Sequence, residues 1–230
     1  MRKILIILFL IFTPFFLFSN KSDAKYSGIP LAEYDSYPLL ILQSGEILAE
    51  IIILPENFQD EIAVKEIIGR LDRLPIDILE KVHEHNIKIV LFQGKLTDNE
   101  SLAHLRGITP RGYPKSIVWD DVPGIGGTDL VYVKIGSSNK GEGHGSVNLE
   151  YHELAHSLYN IVYNDPSEIG QFKQIWQTEA KLLYPDHLYL QQYIEEYFAE
   201  SFAHYFLSPE TQTLLKATAP QTFQFISELY

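Results

Sequence analysis

Cysteine is absent from this 230-residue chain. No disulfide can brace it, so its stability must come from the core and from any bound metal, and it cannot carry the lipidated cysteine of a bacterial lipoprotein. A basic stripe is equally absent. The formal charge is -12, and an acidic surface repels phosphates, which argues against nucleic-acid binding. There is no internal repeat and no low-complexity tract. Nor is there an apolar run of the ~20 residues that span a bilayer comfortably; the run from Ile4 to Phe18 falls short of that and is interrupted by Pro14. With Arg2 and Lys3 ahead of it and Ser22-Asp23-Ala24 behind it, that run reads as a secretory signal peptide over residues 1–24. Removing Arg2, Lys3 and Lys21 together with Asp23 would leave a mature charge of -14. The expectation is a secreted protein with no membrane association after cleavage.

The remaining chain has an ordinary globular composition, 46% hydrophobic and 21% charged. It changes character near residue 145. Before that point, strand-like runs at 47–54, 87–92 and 130–135 alternate with helical patterns. Residues 60–73 are expected to form a helix with Ile62, Ile67, Ile68 and Leu71 on one face. Pro75 is placed to open a second helix reaching about His85. After residue 145 every segment reads as helix: 147–162, one starting after Asp165-Pro166, 190–206, and short helices after Ser208 and after Pro220. The expected fold class is α+β, with an N-terminal α/β lobe (25–145), a C-terminal helical lobe (146–230) and a cleft between them, forming one catalytic domain.

His152-Glu153-Leu154-Ala155-His156 is the chemical core of the sequence. On a helix, i and i+4 lie one turn apart on one face, so both imidazoles can bind a single ion. Glu153, offset by one residue, is suited to take a proton from water at that ion. The pattern alone would arise by chance in roughly 2% of such chains. Leu149, Leu154, Leu158 and Ile161 support it, since they mark the segment as an amphipathic helix. A catalytic zinc needs a third protein ligand. The metzincin continuation would place Gly and His where Tyr159 and Val162 stand. Glu179 lies at roughly the thermolysin-like distance but lacks the flanking Asn and Asp. Glu196 and Glu200, at i and i+4 on an apolar helix, are better placed: one for the metal, the other to orient an imidazole. Helical periodicity leaves the choice between them open.

The chain from Arg111 onward resembles the Pro-Pro endopeptidases, small secreted relatives of the anthrax lethal factor catalytic domain. The resemblance rests on Trp119–Gly124 (WDDVPG), Ser138–Gly141 (SNKG), Ser146–Leu149 (SVNL), the HELAH segment, Glu195–Phe202 (EEYFAESF), Gln171–Ile175 and Pro220–Phe223. It implies a zincin-like fold with one Zn²⁺ per chain held by His152, His156 and Glu196, and with Glu200 in the supporting role. It also implies Glu153 as general base and Tyr189, seven residues before the ligand, as oxyanion donor. Tyr193 is expected to pack in the core instead. For substrate binding it points to Arg111, Tyr113 and Gly126, and to a pairing of Arg111 with Glu195. Where the family has Trp, this chain has Tyr113, and the 114–118 loop also differs. The implied partners are proline-containing bacterial surface or adhesion proteins, cut by a monomeric enzyme that takes an extended substrate alongside the 130–135 strand. The alternatives are a toxin-like zinc peptidase of other specificity and a non-catalytic zinc-binding adhesion module.

Overall fold

The computed structural model describes residues 26–34 and 42–230; the signal-peptide reading lies outside them. At the centre is a sheet of five strands in the order β1 (Ile29–Pro30), β2 (Ile52–Leu54), β3 (Lys88–Phe92), β5 (Leu130–Lys134) and β4 (Gly124–Ile125). β2, β3 and β5 run parallel, while β1 and β4 close the two edges antiparallel. The strands are almost continuously apolar because both faces of the sheet are covered. Ile52, Leu54, Ile89, Leu91, Val131 and Val133 face the larger core. The alternate residues Ile53, Val90, Phe92, Leu130 and Tyr132 face a smaller one, over which Trp119 and Ile117 pack.

Helices α1 (Gly45–Ile51), α2 (Glu61–Leu71) and α3 (Ile76–Glu84) accompany the parallel strands. From Leu149 onward the described chain is helical: α4 (Leu149–Ser157), α5 (Pro166–Leu183), α6 (Leu188–Gln192), α7 (Ile194–Leu207), α8 (Pro209–Thr218) and α9 (Pro220–Ser227). Both halves contribute to one hydrophobic cluster, in which Ile51, Ile89 and Val133 join Leu154, Phe198 and Phe202.

Several sequence expectations need correction. Most of the 47–54 run is helix, not strand. Leu48 and Ile51 are buried on one helical face, and the Asp72 carboxylate accepts the amides of Gln43 and Ser44 at 2.9 and 2.8 Å just ahead of α1. A short apolar run fits either structure until its neighbours decide. Ile62 is 72% exposed. It sits opposite Val64, Ile67, Ile68 and Leu71, which supply the buried face of α2. Pro75 caps α3 from outside with extended backbone. The 147–162 helix is α4, capped by Asn148 accepting from Tyr151 N at 3.0 Å, followed by a wider π turn over Leu158–Val162 in which Ile161 is only half-buried. The 190–206 segment is broken at Tyr193, whose extended backbone separates α6 from α7.

One ion pair fastens the sheet half to the catalytic helix. Arg70 on α2 donates to Glu150 on α4, which is fully buried, and also to Ser138 Oγ at 2.9 Å. The Tyr151 hydroxyl donates back to the Arg70 carbonyl at 2.5 Å. Removing one partner of a buried pair strands the other charge. Arg70→Met should therefore cost about 3–5 kcal/mol in urea unfolding, and adding Glu150→Leu should recover most of that. A loss below about 1 kcal/mol for Arg70→Met would mean that water reaches Glu150 in solution.

Candidate active site

α4 and α7 pack against each other and bring the two halves of the motif together. His152 and His156 lie one turn apart on α4, and Glu196 is in the first turn of α7. The two Nε2 atoms are 3.2 Å apart, and Glu196 Oε2 is 3.5 Å from each. These three donors form the metal-ligand cluster found among the described residues. An ion held tetrahedrally by N and O ligands at about 2.0–2.1 Å has ligand atoms about 3.3–3.4 Å apart. The observed triangle has that size, so the residues fit a zinc-sized ion with one position left open.

The charges around the cluster are arranged for a cation. Burial opposes charge on His152, but hydrogen bonds with Glu196 and Glu200 outweigh it and push its pKa up to about 10. Burial likewise opposes the Glu196 carboxylate, yet the two imidazoles hold it far below the usual carboxylate range. Glu196 uses its oxygens separately. Oε2 faces the imidazoles, while Oε1 accepts from the Tyr189 hydroxyl at 2.7 Å and from Arg111 at 3.3 Å. Glu200, buried one turn further along α7, accepts from His152 Nδ1 at 3.1 Å and from Val147 N at 3.0 Å. A carboxylate on Nδ1 leaves the Nε2 lone pair free for a metal. Glu153 lines the same cavity. Burial raises its pKa above the ordinary carboxylate value against the pull of His152 and His156, which favours a base over a permanently charged spectator. Burial also raises the Tyr189 phenol, against the effect of its Arg111 hydrogen bond, so it stays a donor at neutral pH.

These groups line a cavity of about 620 Å³ between the sheet edge and the helices. Arg111 comes from the sheet half and reaches across it. It donates to Glu195 at 2.8 Å and to the Tyr189 hydroxyl at 3.3 Å, and it lies 3.9 Å over the Tyr193 ring. Tyr193 is thus a platform for Arg111 and not the core residue expected from sequence. Tyr113 stands at the rim, 37% exposed. β5 is flanked by β3 and β4, so the 130–135 strand cannot take a substrate alongside; the edge that borders the cavity is β4 and the Gly126-Gly127 turn.

Sequence reasoning passed over three features. Gly112 has φ +82°, and a Cβ there would lie 2.7 Å from the Tyr189 ring; its place inside Arg-Gly-Tyr was the available signal. Ser157 Oγ accepts from Gly127 N at 2.9 Å and Asn160 donates to the Gly127 carbonyl at 3.0 Å, which pins the turn to the catalytic helix. Nothing in the sequence marked those two residues. His204 is buried beside Glu200 and also borders the cavity; its i+4 spacing from Glu200 was the clue.

An imidazole pair on α4, a glutamate on α7 and a glutamate base beside them, next to a small mixed sheet, define a metallopeptidase of the zincin type. The family described as "Anthrax toxin lethal factor, N- and C-terminal domain" matches residues 41–229. A Pro-Pro endopeptidase of Clostridioides difficile (strain 630) is 40% identical over 205 residues, 88% of this chain and 91% of that protein. A Pro-Pro endopeptidase of Paenibacillus alvei is 38% identical over 192 residues, 82% of this chain and 87% of that one. A solved structure of the P. alvei Pro-Pro endopeptidase PPEP-2 superposes with a TM-score of 0.75 at 37% identity, covering 80% of this chain and all of that one. The chain belongs to the Pro-Pro endopeptidase family, related to anthrax lethal factor.

Gly126 offers a sharp test of the site's tolerance. A Cβ at this position would lie 1.9 Å from the Glu153 carbonyl oxygen, a backbone atom of the catalytic helix. Gly126→Ala must therefore displace either the turn or α4, and a misplacement of about 1 Å costs roughly 10²-fold in rate. Peptidase assays should show kcat/KM down by about that factor in a protein that still folds by circular dichroism. Activity within twofold of wild type would show that the turn and helix can separate freely.

Proposed function

We propose that this protein is a secreted, monomeric zinc endopeptidase that hydrolyses the bond between two prolines in proline-containing bacterial surface or adhesion proteins. The observation that carries this reading is the triangle of His152, His156 and Glu196 with Glu153 and Tyr189 beside it, in a chain 40% identical to a named Pro-Pro endopeptidase over nearly its whole length. His152, His156 and Glu196 would hold the zinc, which when bound supplies Lewis acidity for water activation and carbonyl polarisation.

The rest is the work of the chain's own groups. Glu153 accepts the proton of the attacking water and afterwards delivers it to the departing proline nitrogen. Tyr189, whose one hydroxyl hydrogen rests on Glu196 Oε1, turns it to the oxygen that becomes negative, where a positioned donor is worth about 10²–10³ in kcat. The β4 edge and Gly126 give an extended substrate a short row of backbone partners. Proline lacks an N–H and has a fixed φ, so a Pro-Pro bond enters with fewer ladder bonds and a rigid bend. Arg111, anchored on Glu195 and Tyr193, shapes the wall that meets this bend, with Tyr113 at the rim.

Quenched fluorescent peptides with a central Pro-Pro or Pro-Ala test the reading. The zinc-loaded wild type should cleave only the first. Tyr189→Phe should lower kcat about 10²-fold with little change in KM, and Glu153→Gln should abolish detectable turnover. Equal cleavage of both peptides would favour a broader, toxin-like specificity. Cleavage of neither by protein holding one zinc would overturn the Pro-Pro assignment.

A further inference from the structure

Glu153, His156 and Ser157 share one face of α4, at i, i+3 and i+4. The π turn that follows is closed by Tyr163 N, which donates to the Leu158 carbonyl at 2.8 Å, and it carries Asn160 to the same side. The chain from Gly124 to Gly127 lies directly on this face. A Cβ at Gly124 would meet Glu153 Cγ at 2.9 Å, and one at Gly127 would meet Asn160 Nδ2 at 3.0 Å and His156 Cβ at 3.9 Å. Glycine thus lets the backbone of the cavity edge rest on the catalytic helix with no side chain as a spacer. Two hydrogen bonds then define where it rests. Ser157, fully buried, accepts from Gly127 N at 2.9 Å, and Asn160 donates to the Gly127 carbonyl at 3.0 Å. Gly127 has φ +94°, a conformation that favours glycine, and both of its backbone groups are engaged by the helix. Neither Ser157 nor Asn160 belongs to the ligand triangle.

We propose that Ser157 and Asn160 are positioning residues for peptide hydrolysis: by holding both backbone groups of Gly127, they fix the spacing between the cavity edge that receives the substrate backbone and the Glu153 side chain. Edge and base are then tied to one rigid helix. A substrate laid along β4 and Gly126 reaches Glu153 at a single distance instead of a range of distances. Misplacing reacting groups by about 1 Å costs roughly 10²-fold in rate. Either hydrogen bond alone still holds the turn in part, so losing one should cost less than losing both. This inference rests on the peptidase reading above, and its test separates the two.

The test compares Ser157→Ala, Asn160→Ala and the double variant with Asn160→Gln, whose amide can still donate from this exposed position. Cleavage of the Pro-Pro peptide by zinc-loaded protein gives kcat and KM. Hydrogen exchange of the Gly127 amide, followed by NMR, reads the turn independently of activity. Each Ala variant should lower kcat about 10-fold and the double variant about 10²-fold, with KM within about twofold. Zinc affinity should be unchanged, and the Gly127 amide should exchange faster than in wild type. Asn160→Gln should stay within about threefold of wild type in kcat. Wild-type kcat in the double variant, in an enzyme that is otherwise active, would overturn this inference and leave the peptidase reading intact. So would a loss of kcat with Gly127 exchange unchanged. Equal losses in Asn160→Ala and Asn160→Gln with a lower Tm would also overturn it, marking Asn160 as helix packing alone. A wild type that cleaves no Pro-Pro peptide would instead refute the proposed function, and this inference with it.

Discussion

Everything chemical in this protein depends on α4 and α7 lying close enough for one carboxylate to touch both. Glu200 projects from α7, receives the amide of Val147 just ahead of α4 and receives His152 Nδ1 from within α4. The aromatic packing beneath it, with Phe198 5.2 Å from Tyr159 and 5.4 Å from Phe172, holds the helices at that separation. One turn earlier on α7 the same geometry delivers Glu196 Oε2 to 3.5 Å from both imidazoles. The size of the ligand triangle is thus a consequence of helix packing.

The sheet half contributes a base-side wall and a clamp. The Gly126-Gly127 turn is pressed onto the catalytic helix, and Ser157 and Asn160 hold it there. Arg111 crosses the cavity to Glu195, Glu196 and Tyr189. Although the chain carries a net charge of -12, the carboxylates of Glu195, Glu196 and Glu200 are each matched to an imidazole or a guanidinium. Within a cavity partly shielded from water such pairings are stronger than on the surface. They also hold Tyr189 against Glu196, the contact that places its hydroxyl beside the reacting centre.

What could be read in advance divides along physical lines. The HELAH segment was legible because i and i+4 geometry is local, and the apolar α7 pattern made Glu196 and Glu200 stand out. Periodicity could not separate those two, since both lie on one face. What separates them is depth: Glu196 meets the Nε2 side of the imidazoles, and Glu200 meets the Nδ1 side of His152. The helix at Gly45–Ile51 was misread because a short apolar run suits strand and helix equally, and Asp72, 28 residues from Ser44, decides it. The substrate-bordering edge was misplaced for a related reason. β4 has two residues, too few for any pattern, yet it covers β5. Tyr193 was assigned to the core because nothing local reveals that Arg111, 82 positions away, stacks on it.

The zinc ion proposed above would sit in the triangle of His152, His156 and Glu196. Crystals of the zinc-loaded protein measured on both sides of the zinc absorption edge test this placement directly. One anomalous peak is expected at about 2.0–2.2 Å from Nε2 of each histidine and from Glu196 Oε2, with Glu200 touching His152 Nδ1 and not the ion. A peak bound by Glu200 instead of Glu196, or no peak between the two histidines, would contradict this placement.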